Sequence, residues 1–370
     1  MKIPAHVVTF AAGDKNLGVY KMFYDYWKHY QNENGKKNTE FNPYRQDGTL
    51  ISFSEKEDQM NGALRDEIIR VAGVTNYGDF PVEQWSTNPM INWASFAVVS
   101  AMIDMILPES LVDSIGLYSE IRAIGWGDSA LFTIKPRDLF AVSKSGRGQK
   151  LTEIHQQFST EKTLTADPHQ LTVGVSLYKV LAGVESLADL VSKVIKSMEV
   201  ALTVDVYNAF HAAMIALPST TTTGLYVSGY TQDSLTRLCE QVSSWNAAEA
   251  VIVGTKRALA NVLPTDANYR YTLNDSFMTV GYVPTAFGYS VMALPQVAKW
   301  QSPFDTLLSN DYLYILSPSS QKFVKVILEG QTLSYANTTF ENANLTQNAT
   351  FLKSWGVGVA TSAVAGCIAL

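Results

Sequence analysis

Residues Ser186–Pro218 read SLADLVSKVIKSMEVALTVDVYNAFHAAMIALP, and the fold is decided by how this stretch is read. Neither Pro nor Gly interrupts it before Pro218. Ser186 and Asp189 form an S-x-x-D pattern, which sets a helix start because the hydroxyl satisfies an amide of the first turn. Roughly 30 residues at about 1.5 Å each make a rod on the order of 45 Å long. Leu187, Leu190, Val191, Val194, Met198, Ala201 and Leu202 fall on one stripe, with Asp189, Lys193, Lys196 and Glu199 mostly opposite. Asp189 and Lys193 make a favourable i,i+4 pair worth a few tenths of a kcal/mol. The stripe broadens after Tyr207, which predicts deeper burial of the C-terminal half.

Immediately before this rod lies a long polar excursion, Ser129 to about Val180, that alternates like paired strands. Ala130–Lys135 and Leu139–Lys144 run out to a charged turn at Ser145-Gly146-Arg147-Gly148. Lys150–Phe158, Glu161–Thr165 and Gln170–Tyr178 come back. A protruding arm mounted on a long rod has little use in a compact enzyme. It suits a protein that tiles a surface with copies of itself.

The chain has 370 residues, 46% hydrophobic and 17% charged, with 18 Tyr, 16 Phe and 7 Trp. Charge is low against the roughly 25% of an average soluble domain. Either a large core or partner-covered surface accounts for it. A net charge of −6 argues against a protein whose main task is gripping nucleic acid. The two cysteines, Cys239 and Cys367, fit no metal spacing and read as buried small hydrophobes in a reducing compartment. No secretory leader is evident: the apolar run His6–Ala12 is short and closed by Gly13-Asp14-Lys15. The uncharged tail Trp355–Leu370 is shorter than the roughly 20 residues a spanning helix needs, and suits buried strand.

Further helices are predicted over Leu17–Tyr30, Glu55–Val71, Asn92–Ile106, Ser110–Leu117 beyond Pro108, Gln232–Ser243 and Lys256–Leu263. Strands are predicted over Ala250–Val253, Phe277–Tyr282, Ser290–Leu294, Asp311–Ser317 and Phe323–Ile327, with about two more in Thr350–Leu370. The aromatic cluster Tyr20, Phe23, Tyr24, Tyr26, Trp27 and Tyr30 reads as a packing face rather than a ligand pocket. On an N-terminal arm that face would meet another subunit.

The search for chemistry returns nothing specific. No phosphate-binding loop, H-E-x-x-H, C-x-x-C or G-x-S-x-G occurs. Val253-Gly254-Thr255-Lys256 lacks the glycine-rich loop that cradles phosphate. None of the five histidines, His6, His29, His155, His169 and His211, has a partner at ligand spacing. His211 reads as a packing residue of the rod, and His155 and His169 as exposed. Asp66, Glu67 and Glu161 are candidate acid–base groups only as any carboxylate is. No catalytic residue, metal or cofactor is assigned.

The order of the pieces resembles the HK97-fold major capsid protein of tailed bacteriophages, an α+β architecture of N-arm, extended loop, spine helix, peripheral domain and axial domain. Asn246–Ala260 (NAAEAVIVGTKRALA) is similar to the strand and helix opening the axial domain, and Phe287–Pro295 to a later strand of it. Asp311–Pro318 followed by Lys322–Gly330 resembles its closing hairpin, and Trp355–Ala360 the family's return strand. The resemblance runs over about Met90–Leu370. It implies an N-arm at 1–76, peripheral parts at 77–128, 176–224 and 331–370, an extended loop at 129–175 and an axial domain at 225–330. It further implies a shell subunit in the virion, assembled in the host cytoplasm. Such a subunit forms hexamers and pentamers with itself, meets portal, scaffolding and decoration proteins, touches packaged DNA weakly and binds no membrane. Ser145, Gly146, Arg147 and Gly148 become candidates for an intersubunit contact at the loop tip, although a solvated turn serves equally as a reading. The short arm implies no scaffolding segment to remove, so Met1 is expected in the mature subunit. A nanocompartment shell of the encapsulin type shares the fold, and an α/β enzyme of unknown type is the reading from another class.

Overall fold

The computed structural model describes residues 17–33, 52–74, 88–115, 119–136, 158–176, 185–219, 224–262, 280–294, 296–299, 302–317, 322–336 and 346–370. The helices are α1 (Leu17–Glu33), α2 (Phe53–Val71), α3 (Pro89–Ile115), α4 (Leu187–Ile215), α5 (Gln232–Asn246) and α6 (Lys256–Leu259). The strands are β1 (Ser119–Ile124), β2 (Ala130–Ile134), β3 (Thr160–Leu164), β4 (Asp167–Ser176), β5 (Tyr226–Ser228), β6 (Val251–Thr255) and β7 (Thr285–Ala286). They continue with β8 (Tyr289–Leu294), β9 (Ala298–Lys299), β10 (Ser302–Thr306), β11 (Tyr312–Leu316), β12 (Val324–Ala336), β13 (Thr346–Val359) and β14 (Gly366–Ala369).

The expected rod is α4, 29 residues or about 44 Å long. Ser186 Oγ accepts from the Asp189 amide at 3.2 Å, as the capping pattern requires. A second cap comes from α2, where Asn61 Oδ1 accepts from the Ala188 amide at 3.0 Å. Lys193 and Asp189 form the expected pair at 2.6 Å. Val191, Val194, Ile195, Met198, Leu202, Val206 and Phe210 are buried, whereas Ala201 is exposed. The C-terminal half is no deeper than the rest: beyond Tyr207 only Phe210 and Met214 are buried.

Two sheets flank the spine. The first has the order β1-β12-β13-β4. Its inner face carries Val324, Val326, Leu328, Phe351 and Trp355 and meets α3 and α4 in the larger core. The second has the order β5-β14-β11-β6-β8-β7 and packs α5 and α6 against it in a separate core of Leu235, Leu238, Val242, Ile252, Leu259 and Ile315. Each fully buried aliphatic side chain there contributes roughly 1.5–3 kcal/mol. The spine's C-terminal end also bridges to this second sheet. Ser309 N donates to the Tyr207 hydroxyl at 2.8 Å, and the Tyr314 hydroxyl of β11 meets His211 Nδ1 at 2.7 Å.

Several sequence expectations need correction. Asn92–Ile106 and Ser110–Ile115 belong to one helix, α3, that runs through Pro108, and 116–117 lie outside the described residues. Proline removes a single ladder donor there, and the apolar burial of α3 outweighs that loss. The first twenty residues, Pro89–Pro108, are long and apolar enough to cross a membrane by composition, but 78% of that window is buried inside the chain. The helix over Lys256–Leu263 is a single turn, α6. Val280–Tyr282 forms no strand, and 277–279 lie outside the described residues. Asp311–Pro318 and Lys322–Gly330 are not a hairpin: β11 belongs to the six-stranded sheet and β12 to the four-stranded one. The tail likewise divides, with β13 in the four-stranded sheet and β14 between β5 and β11. The polar excursion is shorter than expected at its return, since β4 pairs with β13 and not with the outgoing strand.

Candidate assembly surface

What remains of the excursion among the described residues is a two-stranded ribbon. β2 and β3 pair antiparallel from Ala130↔Leu164 to Ile134↔Thr160. β2 alternates, with Ala130 and Phe132 buried and Leu131 and Thr133 exposed, whereas β3 buries Leu164 and exposes Thr160–Thr163. The buried side sits on the outer face of the four-stranded sheet, against Ile327 and beside Ile124 and Ala166.

The seat is made flat by glycine. Gly356 and Gly358 alternate with inward-facing Val357 on β13, so both look out toward the ribbon. A Cβ on Gly356 would lie 2.2 Å from the Thr165 carbonyl oxygen, and one on Gly358 would lie 2.5 Å from Leu164 Cδ2. Phe132 fills the space next to them, with the Arg122 guanidinium 4.3 Å and the Lys325 ammonium 5.6 Å from its ring centre. Both cations face the negative ring cloud. Arg122 Nη1 also donates to the Leu131 carbonyl at 3.2 Å. Glu120 joins them, with Lys325 at 2.5 Å and Arg122 at 2.6 Å. Burial works to raise the Glu120 carboxyl, but the hydrogen bonds from Lys325 and Arg122 outweigh it and hold the group below the usual carboxylate range.

Beyond the seat, β12 is bulged between Glu329 and Leu333, where Gly330 takes φ +49°. Three elements fasten this bulge. Asp104 of α3 accepts from the Thr332 amide at 2.8 Å and hydroxyl at 2.6 Å, and Lys353 of β13 donates to Asp104 and to the Gly330 carbonyl, each at 2.7 Å. The 125–128 turn is held to the same place, as Gly127 N donates to Glu329 Oε1 at 2.7 Å and Trp126 lies against Gly330. Past the bulge the outer face is uncovered: Trp126, Leu333 and Tyr335 are 49%, 53% and 74% exposed. Phe158, just before β3 at the outer end of the described ribbon, is 73% exposed.

On the sheet's inner face His169 is not simply exposed, as its sequence position suggested. Its ring stacks on Trp355 with centres 3.8 Å apart, and Nε2 lies 3.4 Å from Asp205 of α4. His211 is the packing residue expected, and burial lowers its basicity. Both cysteines are buried, and desolvation pushes each thiol up to about 12. Glu67 is buried and paired with Arg70 within its own helix. No group of three or more metal-ligating side chains occurs among the described residues.

Of the predicted contact residues, Ser145, Gly146, Arg147 and Gly148 lie outside the described residues, as does His155. Tyr20, Phe23, Tyr24 and Trp27 pack into this chain's own core. Tyr20, Phe23 and Trp27 are buried, and Tyr24 is half-buried, in the core shared with Met60, Leu64 and Ile68 of α2 and Ile91 of α3. Tyr26 stacks on Phe53 at 5.6 Å. Sequence reasoning missed Phe132, the Gly356/Gly358 seat and the Asp104–Lys353 pair. The spacing Trp355-Gly-Val-Gly-Val359 was the one local signal, since glycine on alternate strand positions marks a close approach.

Among the curated proteins none matches the chain. Several solved structures are similar. The capsid of the native GTA particle is 12% identical and covers 70% of this chain and 89% of its own, with a TM-score of 0.49. The capsid of cyanophage P-SCSP1u is 14% identical over 68% and 86%, at 0.46. A virus-like particle from Pyrococcus furiosus is 9% identical over 71% and 95%, at 0.41. A family model described as "SPbeta prophage-derived putative capsid protein YonB" matches residues 44–369. That span is far more than half of the chain, and the chain belongs to the YonB family of prophage-derived capsid proteins.

Proposed function

We propose that this chain is a major capsid protein, whose copies assemble into an icosahedral phage head shell around the genome. The observation that carries this is family membership over residues 44–369. The build of the molecule supports it: a spine of about 44 Å joins two sheets, and a polar ribbon is rooted on one of them. The prophage origin of the family favours a genome-enclosing shell over a cargo-holding nanocompartment.

In this reading the protein is structural and carries no catalytic site. The six-stranded sheet, roughly 225–317 with 366–370, is the axial part that approaches the five-fold and quasi-six-fold axes. The four-stranded sheet with α3 and α4 is the peripheral part, and residues 129–165 are the extended loop. Ser145–Gly148 at its tip touch a neighbouring subunit, with Arg147 making the charged contact. Trp126, Leu333, Tyr335 and Phe158 are covered on assembly. Repeating such contacts under closed symmetry makes individually weak interfaces cooperative in effect. Portal, scaffolding and decoration proteins and weak contact with packaged DNA complete the set of partners.

Negative-stain microscopy of the purified chain tests the reading. Closed particles or isolated hexamers are expected, and a clean monomer under assembly conditions overturns it. Deleting Lys144–Gln149 should reduce particle yield or stability while leaving the circular dichroism of the subunit unchanged. Normal particles of normal stability would remove the loop tip from the account.

A further inference from the structure

The corner where β4, β13 and α4 meet holds a set of groups whose protonation matters. His169 Nδ1 lies 2.9 Å from the Asp167 carbonyl oxygen. A carbonyl only accepts, so Nδ1 must carry a hydrogen. In the neutral imidazole, Nε2 then presents a lone pair, and it points at the Asp205 carboxylate 3.4 Å away. A carboxylate has no hydrogen to offer, and this one already accepts from the Trp355 indole N–H at 2.9 Å. Neutral His169 therefore sets lone pair against lone pair. Protonated His169 donates from both nitrogens to two acceptors and gains the attraction of the opposite charge. The ring also lies flat on Trp355, 4° from parallel, where a cation is favoured by the indole face.

We propose that His169, Asp205 and Trp355 form a protonation-dependent latch that ties the edge strand β4 to the spine helix α4. The other charged groups at this corner do not reverse the sign. Asp167 on β4 is a further carboxylate. Lys353, opposite His169 on β13, has its ammonium engaged by Asp104 of α3. His169 is about a third exposed, so protons reach it from solvent. The contact is therefore stronger when the ring carries both protons than when it is neutral. Since β4 directly follows the ribbon's return strand β3, the latch fixes the ribbon's root to the spine in its protonated state. The inference concerns the subunit and stands whether or not the chain forms a shell.

A double-mutant cycle on the full-length subunit tests it. Wild type, His169→Gln, Asp205→Asn and the double variant are melted at about pH 5.5 and about pH 8, on either side of histidine titration. The Tm coupling between the two substitutions should be about 2 °C or more at the lower pH and vanish at the higher. A coupling equal at both pH values, or absent at both, overturns the latch. Should Asp205→Asn not fold, His169→Gln alone decides. Its Tm deficit against wild type must grow as pH falls, and a deficit that is pH-independent or shrinks in acid rejects the proposal.

Discussion

Gly356 is a position where a single hydrogen atom decides the local structure. Its missing Cβ would fall 2.2 Å from the Thr165 carbonyl oxygen, a backbone atom at the end of the ribbon. Gly358, by contrast, faces the methyl end of the Leu164 side chain and not backbone. Gly356→Ala should therefore lift the ribbon from its seat and cost about 1–3 kcal/mol, whereas Gly358→Ala should cost less. Urea unfolding of the two variants checks the ranking, and equal or reversed losses would show that the seat is not rigid. At this scale much was open to sequence reading. Ser186 as helix cap, Asp189–Lys193 as surface pair, His211 as a packing residue and the buried cysteines each follow from local spacing or residue type. The seat was not legible, because what Gly356 meets lies almost two hundred residues earlier in the chain.

Among the elements, β12 shows how a long strand is kept in register across an irregularity. Its bulge is held by Asp104 from α3 and Lys353 from β13, with side chains 14% and 4% exposed. Lys353→Met keeps the length of the side chain but strands the Asp104 carboxylate with Thr332 alone. The loss expected is about 3 kcal/mol, in the range for breaking a buried pair by removing one partner. A Tm unchanged from wild type would show the pair to be incidental. Helices were the readable elements, with α1, α2, α4 and α5 recognisable from apolar periodicity and caps. Strand partners were not. β1 pairs with β12 in parallel some two hundred residues away, and β11 and β12 look like a hairpin in sequence yet join different sheets. Alternation tells which residues share a face but carries no information on which strand lies beside them. Pro108 misled for a different reason, since tertiary burial of α3 overrides a local breaker.

For the whole molecule, the spine makes two sheets into one body by touching both. α4 lies on the four-stranded sheet through Trp355 and Asp205 and reaches the six-stranded sheet through Tyr207 and His211. The six-stranded sheet is closed by β14, which pairs with β11 on one side and β5 on the other. Removing residues 366–370 should leave β5 without a neighbour and expose Leu313 and Ile315 in the core. The truncated chain is expected to be insoluble or to bind a hydrophobic dye strongly. A soluble truncation with native circular dichroism would show that the sheet is stable without β14.

That placement of β14 also sets an order on synthesis. β5 leaves the ribosome about 140 residues before the strand it pairs with, at a typical 5–20 residues per second. For many seconds the nascent subunit holds an unfinished sheet whose edge strands β5 and β11 have no partner between them. The six-stranded sheet is thus completed only after residues 366–369 emerge, and the surface that it forms does not exist before then.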